Sequence, residues 1–80
     1  MDDREIFERI ATLAEEEHAL ERSHADKGLG EEDAARMRDL EVTLDQCWDL
    51  LRQRRARRHA GQDPEDATVR PAQIVENYRQ

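Results

Sequence analysis

Apolar residues recur along this chain in two ladders of alternating four- and three-residue steps, one on each side of Lys27-Gly28-Leu29-Gly30. Ile6, Ile10, Leu13, Glu17 and Leu20 form the first; Met37, Leu40, Leu44, Cys47 and Leu51 form the second. Such steps place side chains on one face of an α-helix. Pairing 20 with 37, 17 with 40, 13 with 44, 10 with 47 and 6 with 51 gives residue numbers with one constant total. A single fold-back point therefore serves every rung, which predicts an antiparallel helical hairpin.

The first helix is expected over about residues 3–25, capped by Asp2 and Asp3, with Glu5 and Glu8 at the positive end of its dipole. The second is expected over about 31–60. It opens on Glu31, Glu32 and Asp33, closes on Arg57, Arg58 and His59, and meets Gly61. At a rise of about 1.5 Å per residue the helices measure about 35 Å and 45 Å. Beyond Gly61 the register stops. Asp63-Pro64-Glu65-Asp66 reads as a turn or a short capped start, and residues 72–78 could form a short helix with Ile74, Val75 and Tyr78 on one side. Such a segment is too short to stand alone and must dock or stay disordered. The chain thus divides into a hairpin, 1–60, and a tail, 61–80.

Apolar width exceeds what one hairpin covers. Phe7 and Ala14 flank the first ladder, and Trp48 and Leu50 flank the second. Small two-helix chains bury little surface, so this excess predicts pairing into a homodimeric four-helix bundle. Phe7, Ala14, Trp48 and Leu50, with the tail residues Ile74, Val75 and Tyr78, are the expected contacts with a second copy or another protein partner.

Composition narrows the function classes. The chain is 41% charged, has a net charge of −7 and carries one cysteine, Cys47, so no intrachain disulfide can form. Cys47 lies on the ladder, as expected of a buried reduced thiol in a cytoplasmic protein. No secretory signal or membrane-spanning run is apparent. The acidic balance argues against nucleic acid and membrane surfaces.

Two charged constellations carry sharper readings. Arg52 to Arg58 holds five arginines, and Arg54, Arg55, Arg57 and Arg58 at this end of the second helix could bind nucleic acid, another phosphate or an acidic partner. The register offers a structural role instead. Arg52, Arg54 and Arg55 fall opposite Glu5, Asp3 and Asp2, while Arg57 and Arg58 lie beyond the first helix. Near the loop, Glu17, Glu21 and His24 face the partner helix, with Asp33 opposite His24. Two copies could gather them into a carboxylate-rich metal site resembling those of helical bundles. Glu17 can equally extend its charge past its stem or specify register. No cofactor is implied, and neither Ser23 nor Cys47 has the surroundings of a nucleophile, so an enzyme is not expected.

The stretch Leu40-Glu41-Val42-Thr43-Leu44-Asp45-Gln46-Cys47-Trp48-Asp49-Leu50-Leu51-Arg52-Gln53-Arg54-Arg55-Ala56 is distinctive. Glu16-Glu17-His18 precedes it, and Asp63-Pro64, Val69-Arg70-Pro71 and Val75-Glu76-Asn77-Tyr78 follow. Together they resemble a small actinobacterial family known only as domain of unknown function 2630. The resemblance spans nearly the whole chain and implies that the tail is an integral part of it. It implies no activity, so the expectation is a non-enzymatic interaction or scaffolding module.

Overall fold

The computed structural model describes residues 1–24, 28 and 30–77, with Asn77 described for its backbone alone. The regular elements among the described residues are all helical: α1 (Asp3–Ser23), α2 (Glu31–His59), a 3-10 turn (Pro64–Asp66) and α3 (Ala72–Asn77). Among the expected features, Ala25 at the end of the first helix, Asp26, Lys27 and Leu29 of the connection, and Tyr78 lie outside the described residues.

Local chemistry sets each boundary. Asp2 and Glu5 form a reciprocal capping box: the Glu5 amide donates to Asp2 Oδ1 at 2.8 Å, and the Asp2 amide donates to Glu5 Oε1 at 3.2 Å. At the end of α2 the chain turns through Gly61, whose φ of +72° suits a residue without Cβ. The Gln62 amide then donates to the Arg57 carbonyl at 2.7 Å and the Gly61 amide to that of Arg58 at 3.2 Å. Both bonds of a Schellman motif are present, so two carbonyls that the helix leaves open are satisfied. Pro64 starts the 3-10 turn with Asp63 as its cap, Asp63 Oδ1 accepting from the Glu65 amide at 2.9 Å.

α1 and α2 pack antiparallel, as the ladders predict. Ile6, Ile10, Cys47, Leu50 and Leu51 form the buried cluster, with Leu13, Leu44 and Ala67 packed against it. At the open end Arg54 meets Asp3, and near the connection His24 meets Asp33 at 2.5 Å. Both pairs share the constant total of the apolar rungs.

The tail folds back along α2. The Pro64 carbonyl accepts from Arg54, the Thr68 carbonyl from Gln53 and the Arg70 carbonyl from Gln46, at 3.2, 2.8 and 3.2 Å. Rising tail numbers meet falling α2 numbers, so the tail runs antiparallel to α2, and α3 docks on α2. Of the alternatives open to it, the tail takes the docked one on its own hairpin. The molecule is flat, with extents of 50 × 26 × 15 Å.

Candidate interaction face

Periodicity puts the tail and Trp48 on different sides of α2. Gln46, Asp49 and Gln53, spaced three and four apart, make the stripe that receives the tail. Asp49 is its centre: fully buried, it accepts from Arg70 through both carboxylate oxygens, the Nε to Oδ2 bond measuring 2.8 Å. Gln53 donates to the same Oδ2 at 2.9 Å, and Arg52 lies 3.9 Å from Oδ1. The Arg70 guanidinium holds the Asp49 carboxyl below the usual carboxylate range despite the opposing effect of burial. Sequence reasoning missed this site. The polar stripe at helical spacing was visible, but its partner stands 21 residues away in a segment without periodicity.

This docking corrects two expected contacts. Leu50 is 5% exposed within the chain's own core, and Val75 on α3 is 1% exposed. Neither is free to meet a partner, because the tail occupies apolar width otherwise assigned to a second copy. Ile74 remains exposed, and Tyr78 lies outside the described residues.

Phe7 and Trp48 behave differently. They are 50% and 43% exposed, and they meet edge-to-face with ring centroids 6.1 Å apart. Ala14, one heptad after Phe7, is half-buried. Beside the rings lies a shallow depression of about 250 Å³ rimmed by Asp3, Leu51, Arg52, Arg55 and Arg58.

The arginines do not act as one cluster. Arg54 is 6% exposed and spends its fork internally: Nε donates to Asp3 Oδ1 at 2.5 Å, and Nη2 donates to Glu65 Oε1 at 3.2 Å. Arg58 also has a partner, contrary to expectation, donating through Nη2 to Asp3 Oδ2 at 2.8 Å and through Nη1 to Asp3 Oδ1 at 3.3 Å. Its side chain reaches back a turn to share the carboxylate with Arg54. Arg58 and Arg54 together hold the Asp3 carboxyl below its ordinary range. Arg57 is half-buried and reaches Gln62 at 3.5 Å. Arg55 is exposed and has no ion-pair partner among the described residues. The rungs Arg52–Glu5 and Arg55–Asp2 are absent from the described residues, since Asp2 and Glu5 hold each other in the capping box. A phosphate grip by four arginines is therefore not assembled.

The loop-end acids are likewise dispersed. Glu21 sits 3.6 Å from His18, and His24 turns to Asp33. Glu17 is half-buried, and no group of three metal-ligating side chains exists among the described residues. Glu17, Glu21 and His24 are thus not brought together within one chain. Cys47 is buried, and burial pushes its thiol up, partly offset by Arg9. No helix of the described residues is long and apolar enough to cross a membrane.

Comparison with known proteins reaches the same edge. Mb0922c of Mycobacterium bovis and Rv0898c of Mycobacterium tuberculosis, both described as uncharacterized proteins, are each 49% identical to this chain over 77 residues. The alignment covers 95% of this chain and 88% of either relative. No solved structure matches it significantly. The distinctive α2 string and the docked tail fall inside one family match over residues 2–80, and the chain belongs to that family, described as protein of unknown function DUF2630.

Proposed function

We propose that the chain is a non-enzymatic helical interaction module of the cytoplasm that works as a homodimer through its Phe7–Trp48 face. The supporting observation is the aromatic pair itself. Two large rings stand about half exposed on a side of the hairpin that the tail leaves uncovered. Tryptophan is enriched among residues that dominate binding energy, and a contiguous exposed apolar patch marks a contact site. The flatness of the molecule supports the same reading, because a slab this thin gains from a second layer.

Static light scattering tests this. The wild-type chain should approach twice its 9.4 kDa mass at micromolar concentration. Trp48→Ala should weaken association by about 2 kcal/mol, in the range of an interface anchor. A wild-type chain that stays at the monomer mass up to millimolar concentration would overturn the reading.

A further inference from the structure

Glu41, Trp48 and Arg55 are spaced seven residues apart on α2. A seven-residue step returns to almost the same side of a helix, drifting by only about 20°. The three form one exposed stripe with the ring in the middle, an acid one heptad before it and a base one heptad after it. Neither Glu41 nor Arg55 has an ion-pair partner among the described residues. Phe7 supports the ring from α1.

This placement is self-complementary under one operation. A two-fold axis lying in the contact plane, perpendicular to α2 at the level of Trp48, reverses the direction of α2 in a second copy and brings the two faces together. Glu41 of each copy then comes level with Arg55 of the other, about 10 Å along the helix on either side of the rings. Leu44 and Arg52, four residues either side of Trp48, exchange levels in the same way, so an arginine stem can cover a leucine. A parallel pairing would set Glu41 against Glu41 and Arg55 against Arg55, which repel.

We infer that the dimer is isologous and antiparallel, with α2 crossing α2 of a second copy at Trp48 and two Glu41–Arg55 pairs closing the contact. The inference rests on the self-association proposed above and adds its geometry.

Charge reversal tests it by sedimentation. Glu41→Arg alone and Arg55→Glu alone each turn two attractive pairs into two repulsive ones. Each should raise the dissociation constant on the order of tenfold or more. Mixed in equal amounts, the two variants should regain wild-type affinity as a heterodimer, because every cross-copy pair is again arginine with glutamate. Both residues are exposed, so far-ultraviolet circular dichroism should show unchanged helicity. A dimeric wild type whose single variants associate normally, or whose mixture is no tighter than either variant, would sink the antiparallel geometry and leave self-association standing. A monomeric wild type would remove both.

Discussion

Asp49 is fully buried, yet its carboxyl titrates below the ordinary range because Arg70 and Gln53 solvate it in place of water. A carboxylate whose folded pKa is depressed adds stability above its unfolded pKa, and loses it as pH falls through the folded value. Asp3, under Arg58 and Arg54, acts with the same sign at a half-buried site where solvent weakens the effect. Denaturant midpoints of the wild type should therefore fall on acidification from about pH 5 towards pH 2. Asp49→Asn should cost about 1–3 kcal/mol at neutral pH, the range for removing a charged hydrogen-bonding partner, and should flatten that acid slope. An unchanged slope would show that Asp49 is ionised no more readily folded than unfolded.

At the level of elements, α2 is the spine on which α1 and the tail are laid. α3 is six residues long, too short to hold helix by itself, so its persistence depends on what pins Arg70 and buries Val75. Arg70→Ala should detach the tail. Amide exchange across residues 72–77 should accelerate to near-unprotected rates, while Ile6 and Ile10 on α1 keep their protection. Uniform loss of protection would mean that the tail and hairpin form one cooperative unit. The hairpin was legible in the sequence because its information is periodic. Ile6 to Leu51 and Asp3 to Arg54 obey one register that can be followed outward from the apolar rungs. The tail was not, because its docking depends on Asp49 and Arg70, a single polar contact between a helix and a segment without repeat. Leu50 shows the same limit from the apolar side. Its place beside the ladder marks it as a flank, but periodicity alone does not distinguish its own tail from another molecule as the cover.

For the whole molecule, thickness is the governing quantity. With a thin axis of 15 Å, few side chains can be remote from solvent, and the buried apolar set is correspondingly small. Such a chain is expected to be marginal alone and steadier when paired. Its thermal midpoint should rise with protein concentration in the wild type, since a dimer's stability includes the mass-action contribution of its partner. Trp48→Ala should make the midpoint nearly independent of concentration. A wild-type midpoint constant over a hundredfold range would argue that the monomer carries its own stability. The site itself was half legible: Phe7 and Trp48 could be picked out as surplus apolar residues, whereas their edge-to-face pairing depends on how the two helices bring their flanks together.

The layout around α2 also constrains how the chain can change over time. α3 approaches α2 but not α1 among the described residues, so α1 and α3 impose few requirements on one another. Across the family, compensating substitutions should therefore link each of them to α2 rather than to each other. Arg54 bridges the two sides at their root, bound to Asp3 on α1 and to both Pro64 and Glu65 at the start of the tail. It links the history of α1 to that of the tail's root, because replacing it would leave the carboxylates of Asp3 and Glu65 to be re-paired in concert.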